Sequence, residues 1–577
     1  MRVTPKLALA LLASTALVSC GPMSAFAGDS YSSGVFPGST IHVANQSALA
    51  LANPNNAVFI HRDGYLSAGD GGDVNYLYSP APCTVNVGLG DGGSQVPAAN
   101  GNCWVEQPPS PGVSVKTFGA KCDAQIIYSF LEVTAGSGGT RVITITSNLA
   151  STEVGKKINV GIGGATATSA WQGVIAAVAP NTITVTAAPG TAITTFTNAS
   201  IQWGTDDTAP ITAAVAAWQG ISPIILPGQC GVSSTITLNA AGAQMYGTLS
   251  PPGHHDGIVP FTPPLSSALV WLGGFAPVFN QTSITGVNNY AVKFQHVHDL
   301  AFFAGNSASV GRNIATVAES HAENLYAADA PSTGFNFLYG VNGATALHEI
   351  AATCNNTESG FVAEGWLYGA ESNYYLGGNL TFQANGATSP VNTCGSVFSG
   401  FHSFFSTGEA ISVPMADHNT FLNFMAVGAG SATTAYSVHL SSINSSYYAQ
   451  GNKFIGLSVG NIATNTQGLI KVETGALGNM FIGVDTFDPP VGWTPIIPAG
   501  TGTTCITDQG TSCAPDTTTK PYVLSYSTLA ALTCNAAATG VEYAITNSNV
   551  STFGTAITAA GSYAGKAFCD GTSWKFR

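Results

Sequence analysis

Charged residues are scarce in this sequence, and their scarcity excludes several classes of function. They make up 8% of 577 residues, with 16 Lys and Arg against 29 Asp and Glu, which gives a net charge of −13. Nucleic-acid binding needs clustered basic side chains, so we expect no nucleic-acid partner. The chain also has no P-loop, no dinucleotide-binding fingerprint and no Cys-x-x-Cys pair. We therefore expect no nucleotide cofactor and no zinc or redox centre.

Long apolar runs are also missing, apart from one near the N-terminus. The run from Leu7 to Val18 follows basic residues and is too short for a membrane span, which is typical of an export signal. Two cleavage sites are open: Ala25-Phe26-Ala27 suits a signal peptidase, whereas Leu17-Val18-Ser19-Cys20 resembles a bacterial lipobox that would leave Cys20 lipid-anchored. We predict a signal peptide over residues 1–27, no membrane span, and a secreted, periplasmic or outer-surface bacterial protein.

In an exported chain, cysteines predict disulfides rather than reactive thiols. Cys20 belongs to the leader, and the other ten of the 11 cysteines are even in number. The sequence does not determine their connectivity. Local pairing favours Cys83–Cys103, Cys505–Cys513 and Cys534–Cys569, which leaves Cys122–Cys230 and Cys354–Cys394.

Glycine is abundant, and a repeat is visible between residues 292 and 364. Three short motifs have an acidic or amide residue in the middle, and each middle residue lies 25 positions after the one before: His298-Asp299-Leu300, Glu323-Asn324-Leu325 and His348-Glu349-Ile350. A second marker runs in phase with the first: Thr333-Gly334-Phe335 and Ser359-Gly360-Phe361, with Ser399-Gly400-Phe401 more distant. Units of short apolar strands that cannot cover their own face must stack on their neighbours. The repeat therefore predicts an all-β fold, a parallel β-helix.

Later units carry an asparagine two residues before a phenylalanine: Asn419-Thr420-Phe421, Asn452-Lys453-Phe454 and Asn479-Met480-Phe481. This pattern predicts a stacked amide ladder that satisfies buried backbone groups at the bends. Pro489 and Pro490 end the stack. We predict a linker over residues 491–521, rich in Thr, Pro and Gly, and a small C-terminal β-domain over 522–577.

The start of the predicted stack carries a more specific signal. Val113 to Lys121, Gly204 to Ile211, and Ile225-Leu226-Pro227-Gly228 resemble the opening of the pectate-lyase-superfamily β-helix of the phage tailspike type. The resemblance implies a right-handed parallel β-helix, a pectin-lyase-like solenoid over residues 113–490, with an N-terminal capping helix and small accessory β-domains. Residues 28–112 form the lead segment. Tailspikes are usually trimeric, so the resemblance also implies a homotrimer, which the sequence does not decide.

The chain departs from that opening motif in two ways. Cys122 and Cys230 replace motif residues, so we expect a disulfide that fixes the cap. Residues 124–203 interrupt the motif with alternating Val, Ile and Thr, which predicts an inserted β-module.

Two groups of aspartates have competing interpretations. Asp206 and Asp207 suit the N-terminus of the capping helix better than a catalytic role. The glycine-rich segment from Asp63 to Asp73 is favoured as a pair of tight turns, and a calcium loop is the alternative. Ca²⁺ is therefore the one cofactor left open.

The resemblance implies that polysaccharide binds or is cleaved along an outer strand face. Elimination from polyuronates needs cations, and Lys293, Arg312, Lys453 and Lys471 are the only Lys or Arg between Gly231 and Asp488. Hydrolysis needs two carboxylates about 5–5.5 or 6.5–9.5 Å apart. Positions one and two rungs apart are separated by about 5 and about 10 Å, which brackets these values. We therefore favour a glycoside hydrolase over a lyase. The predicted catalytic residues are Asp299, Glu323, Glu349 and His348, and the predicted substrate-binding residues are His298, His321, Trp366, Tyr368 and Tyr374.

A structural role competes with catalysis in this column. Asp299, Asn324 and Glu349 each precede an inward Leu or Ile, where a ladder of turn residues would lie. The alternative function is accordingly a non-catalytic glycan-binding or tailspike-like surface protein.

Overall fold

The structure is a computed structural model, and its described residues from His42 onward belong to one compact unit. It describes residues 41–53, 59–107, 111–134, 141–145, 148–162, 170–190, 193–252, 262–282, 292–315, 317–338, 353–354, 357–364, 380–383, 393–404, 409–413, 416–427, 436–444, 447–460, 470–487, 496–498, 504–506, 526–527, 534–535, 542–548, 556 and 563–576. Within these ranges no helix is long and apolar enough to cross a membrane.

The lead segment folds as a five-stranded sheet around a buried arginine. Arg62 is fully buried and donates to the carbonyl oxygens of Gly72 and Thr117. The carboxylate of Asp70 accepts backbone N–H groups, including those of Tyr65 and Gly72, as a tight turn requires. Burial raises the pKa of Asp70, but these backbone donors outweigh it and hold the pKa below its usual range. The elements are β1 (Ile41–Val43), α1 (Gln46–Leu51), β2 (Phe59–Arg62), β3 (Val74–Ser79), a 3-10 turn (Val85–Gly88), β4 (Gln95–Pro97) and β5 (Cys103–Gln107), in the sheet order β1-β2-β3-β5-β4.

A helix and a disulfide close the start of the stack. After β6 (Val113–Ser114), a 3-10 turn (Val115–Phe118) precedes a long excursion of the chain that ends at α2 (Thr208–Trp218). The helix begins at the predicted aspartates, and Asp206 accepts the N–H of Thr208. Asp207 does not cap the helix with its side chain. Its carboxylate instead accepts the N–H groups of Lys121 and Cys122, and Cys122 forms the predicted disulfide with Cys230.

The excursion between β6 and α2 contains a closed antiparallel sheet that packs on the stack. Tyr128 Oη donates to Asp329 at 2.6 Å, and Asn159 Nδ2 donates to the Gly305 carbonyl at 3.1 Å. The strands are β7 (Gln125–Thr134), β8 (Arg141–Ile145), β9 (Lys157–Val160), β10 (Trp171–Ala179), β11 (Thr182–Val185) and β12 (Ile193–Gly204), in the order β10-β11-β8-β7-β12-β9, with a 3-10 turn at Ser151–Glu153.

The body of the chain consists of short strands stacked in parallel register. In chain order they are β13 (Ile224–Leu226), β14 (Gln229–Val232), β15 (Ile236–Leu238), β16 (Gln244–Gly247), β17 (Ala268–Trp271), β18 (Phe279–Thr282), β19 (Val292–Lys293), β20 (His296–Phe303), β21 (Val310–Ala315), β22 (Val317–Ala318), β23 (His321–Ala328), β24 (Thr333–Leu338), β25 (Thr353–Cys354), β26 (Thr357–Glu364), β27 (Leu380–Gln383), β28 (Thr393–Cys394), β29 (Val397–Ser399), β30 (His402–Phe404), β31 (Ile411–Val413), β32 (Thr420–Leu422), β33 (Met425–Val427), β34 (Val438–Leu440), β35 (Ser442–Asn444), β36 (Tyr447–Tyr448), β37 (Lys453–Ile455), β38 (Ser458–Gly460), β39 (Ile470–Val472), β40 (Met480–Ile482), β41 (Asp485–Phe487), β42 (Ile496–Pro498) and β43 (Thr504–Ile506).

Most of these strands form three columns that are paired in parallel, whereas β19–β22 and β25–β28 form separate parallel pairs and β35–β36 form an antiparallel pair. The first column runs β6, β13, β16, β20, β23, β26, β29, β32, β37, β40 and β43. The second runs β14, β17, the later halves of β20, β23 and β26, then β30, β33, β38 and β41. The third is a nine-stranded sheet, β15-β18-β21-β24-β27-β31-β34-β39-β42. The parallel stacking predicted from the repeat is confirmed, while its right-handed sense stays a prediction.

The amide ladder predicted for the later turns is confirmed. Asn419 Nδ2 donates to Asn452 Oδ1 at 3.3 Å, Asn452 Nδ2 donates to Asn479 Oδ1 at 2.9 Å, and all three residues are fully buried. Beside the ladder, four aromatic rings stack at centroid distances of 5.2, 4.4 and 5.0 Å in the order Phe398, Phe421, Phe454 and Phe481. Each turn therefore satisfies its bend with an amide and fills its interior with a ring.

The bend between the first and second columns explains the acidic and amide marker. Asp299 and Asn324 occupy this bend with φ of 55° and 51°, and in later turns Gly400, Asn423 and Gly456 take the same place with similar values. Asp, Asn and Gly tolerate this left-handed conformation better than other residues.

The predicted second step of the marker is wrong for this column. The strand stacked on β23 is β26, which places Ser359 opposite Glu323. Residue 360, and not Glu349, therefore corresponds to Asn324 on the next strand, because the connection between these strands is longer than the repeat suggested.

The last described residues form a four-stranded sheet, β44-β45-β46-β47. Its strands are β44 (Tyr526–Ser527), β45 (Glu542–Ser548), β46 (Tyr563–Cys569) and β47 (Trp574–Phe576). Disulfides Cys534–Cys569 and Cys83–Cys103 are formed as predicted. Cys354 and Cys394 are register partners of β25 and β28, and Cys513 lies outside the described residues.

Candidate functional site

Strands β16, β20 and β23 bring polar side chains together on the outer face of the first column. The register aligns Gln244, His296 and His321 in one row, and Tyr246, His298 and Glu323 in the next. Between these rows lie the buried inward residues Met245, Val297 and Ala322. Alternation along a strand therefore places both polar rows on the opposite, outer face. We call Tyr246, His296, His298, His321 and Glu323 the outer cluster.

Asp299 belongs to the ladder of turn residues and also contacts a histidine of the outer cluster. It lies at the bend, where Asn324 Nδ2 donates to its Oδ1 at 2.5 Å, so the ladder of turn residues exists. Its Oδ2 lies 2.8 Å from His298 Nδ1. Because a carboxylate accepts, His298 donates from Nδ1, which leaves Nε2 as the nitrogen with a free electron pair. Asp299 thus orients an imidazole of the outer cluster.

Glu323 lies between two histidines. One carboxylate oxygen is 3.7 Å from His296 Nε2 and the other is 3.5 Å from His321 Nε2, and about half of the Glu323 side chain (47%) is exposed. His296 Nε2 is buried and has no hydrogen-bond partner among the residues that the structure describes. Burial lowers the pKa of His296, and the nearby His298 and His321 lower it further against the opposing charge of Glu323. One donor atom from each of His296, His321 and Glu323 lies within 4.8 Å of the others, so these three could hold a metal ion.

Tyr246 belongs to the site, and sequence reasoning missed it. Its ring stacks on His298 at a centroid distance of 4.8 Å and an interplanar angle of 7°. Burial raises the pKa of its hydroxyl. No repeat marker surrounds Tyr246, so only the strand register reveals it. The next residue, Gly247, lies under the bend: a Cβ there would be 2.1 Å from the Asp299 carbonyl oxygen.

The structure brings together four of the nine predicted site residues: His298, Asp299, His321 and Glu323. The other five lie outside the described residues: His348, Glu349, Trp366, Tyr368 and Tyr374. Arg312, the only arginine of the stack, is buried and donates to Gln281, so it does not reach the outer face.

A second polar cluster lies on the third column. His439 contacts Glu409 through Nδ1 and Glu473 through Nε2, the latter at 3.0 Å, and Lys471 lies 3.2 Å from Glu473. The ammonium group of Lys471 is 5.0 Å from the ring centroid of Tyr436. Burial alone would lower the pKa of His439, but the two carboxylates outweigh it and raise the pKa.

No protein-family model matches the chain, and no curated protein is similar to it in sequence. Solved structures are similar in fold. Tailspike protein 2 of Escherichia coli O157:H7 bacteriophage CAB120 is 9% identical, with a TM-score of 0.44, over 81% of this chain and 46% of that one. Tailspike gp49 of Acinetobacter baumannii bacteriophage Fri1, a capsular polysaccharide depolymerase, is 10% identical, with a TM-score of 0.41, over 81% and 70%.

Alginate lyase from Paenibacillus sp. str. FPU-7 is 12% identical, with a TM-score of 0.29, over 51% of this chain and 96% of that one. This chain spans about half the length of the tailspike 2 structures, 46% of the full-length protein and 52% of its enzymatically active domain. The chain is similar to tailspike-type proteins, the class that its opening motif resembles.

Proposed function

We propose that the chain is an exported polysaccharide-active protein that cleaves glycosidic bonds by hydrolysis on the outer face of β16, β20 and β23. The observation that carries this proposal is the presence of two carboxylates, Asp299 and Glu323, on consecutive strands beside imidazoles and a tyrosine ring. Asp299 directly follows His298, the register partner of Glu323, so the two carboxylates come from neighbouring rungs, and the proposal requires a separation in the glycosidase range of about 5–5.5 or 6.5–9.5 Å.

The two carboxylates differ in their surroundings, and this difference assigns their roles. Asp299 has both oxygens engaged, by His298 and by Asn324, so it is held in one orientation and suits the nucleophile or charge stabiliser. Glu323 makes no contact shorter than 3.5 Å with the two histidines and is half exposed, so it can reach a glycosidic oxygen as the acid and base. Tyr246 offers a ring to a sugar face.

A lyase is the second candidate, and the His298–Asp299 contact favours it. A histidine whose Nδ1 donates to a carboxylate can take a proton at Nε2, as elimination from a uronate requires. The products distinguish the two reactions. Elimination yields an unsaturated sugar that absorbs ultraviolet light, whereas hydrolysis yields no such product.

The proposal is tested by release of reducing ends from a panel of polysaccharides that includes bacterial capsules, alginate and an α-1,3-glucan. We expect cleavage of at least one polymer, without ultraviolet-absorbing products. Glu323→Gln should lower the rate by at least about 100-fold, the typical contribution of a general acid or base. Glu319→Gln is the matched control, because Glu319 pairs with Lys293 outside the outer cluster.

Cleavage of no polymer, together with retained glycan binding, would support the non-catalytic surface protein instead. Full activity of the Glu323→Gln protein would exclude the proposed site. Three disulfides among the described residues favour an oxidising compartment, so a secreted, periplasmic or outer-surface location is part of the proposal. A homotrimer is part of it too, and sedimentation of the purified protein would test that assembly.

A further inference from the structure

We propose that His296, His321 and Glu323 bind one divalent transition-metal ion, such as Zn²⁺, on the outer face of the first column. The strand register creates this arrangement. His296 and His321 are partners on adjacent strands, and Glu323 follows His321 by two residues and so lies on the same face. The three side chains therefore converge from two strands without any contribution from a long loop.

Two separations, each measured to a different Glu323 oxygen, are close to those of a tetrahedral ion, and one donor atom from each of the three residues lies within 4.8 Å of the others. Zinc bonds to imidazole nitrogen and carboxylate oxygen are about 2.0–2.2 Å, which places the ligand atoms of a tetrahedral site about 3.3–3.5 Å apart. The Glu323 oxygens lie 3.7 Å from His296 Nε2 and 3.5 Å from His321 Nε2. Only a few tenths of an ångström separate the first of these distances from an ideal site.

His296 Nε2 supplies an independent argument. This nitrogen is buried and has no hydrogen-bond partner among the described residues, which is unfavourable for a polar atom. It is aimed at Glu323, at a distance too long for a hydrogen bond. A metal ion between the two would satisfy both groups.

The ligand types select the class of ion. Two imidazoles and one carboxylate suit Zn²⁺ and its first-row neighbours, whereas Ca²⁺ and Mg²⁺ prefer oxygen ligands throughout. Three protein ligands leave a coordination position open for water or a sugar hydroxyl. Because a metal-bound Glu323 cannot also deliver a proton, the proposed hydrolysis is a reaction of the metal-free protein, and a bound ion would inhibit it. Direct binding tests the metal site, and product release tests the hydrolysis.

The experiment is isothermal titration of the untagged protein with Zn²⁺, and with Ca²⁺ for comparison. His42, His61 and Asp63 form another group whose donor atoms lie within 4.8 Å of one another, so the titrations use the His61→Ala protein as background. We expect this protein to bind one Zn²⁺ per chain and to show no comparable heat with Ca²⁺. His321→Ala and Glu323→Gln in that background should each weaken Zn²⁺ binding by at least about 100-fold, since even the loss of an outer-shell partner costs 10–100-fold.

His418→Ala is the matched control, because His418 pairs with Asp417 away from the outer cluster and its side chain is 70% exposed. We expect it to leave Zn²⁺ binding unchanged. Thermal unfolding without metal establishes that each variant folds. If the His321→Ala protein does not fold, the Glu323→Gln protein still tests the proposal, because Glu323 is exposed. Absence of Zn²⁺ binding in the His61→Ala protein, or equal affinity in the Glu323→Gln protein, would overturn the proposal.

Discussion

At the residue scale, the fold controls the protonation of His439 through two carboxylates. This histidine lies between Glu409 and Glu473 and is largely buried. Burial acts against its charge, yet the two carboxylates prevail and raise its pKa. A histidine whose pKa is higher in the folded than in the unfolded chain stabilises the fold while it is protonated.

The sign of this linkage gives a first prediction. The stabilisation is fully present below the unfolded pKa of about 6.5 and is lost as pH rises through the raised folded pKa. Each unit of raised pKa corresponds to about 1.4 kcal/mol. His439→Gln should therefore reduce the difference in unfolding free energy between pH 5.5 and 8.5, measured with urea. His418→Gln is the control. If the His439→Gln protein keeps the same difference in unfolding free energy between the two pH values as the native protein, the prediction is contradicted.

A second residue-scale prediction concerns Gly247. A Cβ at this position would meet the Asp299 carbonyl oxygen at 2.1 Å and Ser267 Cβ at 2.3 Å. Gly247→Ala should therefore shift the bend that holds Asp299 and His298, with a loss of about 1–3 kcal/mol in stability and at least about 10-fold in cleavage. Gly274→Ala is the control, because no atom lies within 4 Å of its Cβ. Equal activity of the two variants would show that the bend does not position the site.

At the element scale, the amide ladder connects the later turns. Asn452 Oδ1 accepts a hydrogen bond from the backbone N–H of Asn419 at 3.1 Å, and Asn452 Nδ2 donates one to the Ala416 carbonyl oxygen at 2.9 Å. Asn452→Ala removes the side-chain acceptor of the buried Asn419 N–H, whereas the Ala416 carbonyl and Asn479 Oδ1 keep the backbone N–H groups of Gln450 and residue 452. Loss of one buried partner costs about 1–3 kcal/mol, and we expect a loss of that size in urea unfolding.

Lys453 is the exposed neighbour of Asn452, and the control variant Lys453→Ala should change stability by less than about 0.5 kcal/mol. Similar losses of stability in the two variants would refute the role of the ladder.

The same scale shows what sequence could and could not predict. The step from Asp299 to Asn324 and the Asn-x-Phe pattern correspond to real register, because one residue type is needed at the same bend in every turn. Thr333-Gly334-Phe335 belongs to the third column, whereas Ser359 pairs with Ser399 in the first. The motif is similar in both, since both need a small residue before an inward ring, so local sequence does not reveal its column.

The candidate site was predictable only in part for a related reason. His298, His321 and Glu323 lie on strands separated by a regular step, so counting places them together. Tyr246 is the register partner of His298, but a long connection separates β16 from β20, and no count predicts its length. Turn length, which packing does not constrain on the surface, limits inference from the repeat.

At the scale of the whole molecule, the Cys122–Cys230 disulfide joins chain segments on either side of the β7–β12 sheet. It closes a loop with a sequence separation of 108 residues, against 20 for Cys83–Cys103. In the chain-entropy account a loop of about 100 residues corresponds to about 4–5 kcal/mol, and one of about 20 residues to about 3 kcal/mol. Replacing both Cys122 and Cys230 by Ser should therefore lower the unfolding free energy more than the same change at Cys83 and Cys103. Calorimetry that gave the reverse order would contradict this.

The central claim is that polysaccharide binds and is cleaved on the outer face of β16, β20 and β23. A crystal structure of the Glu323→Gln protein with oligosaccharides from a polymer that the native protein cleaves tests it most directly. We predict a sugar chain in contact with Tyr246, His298 and position 323. A sugar chain bound instead on the third column, beside His439 and Lys471, would contradict the account.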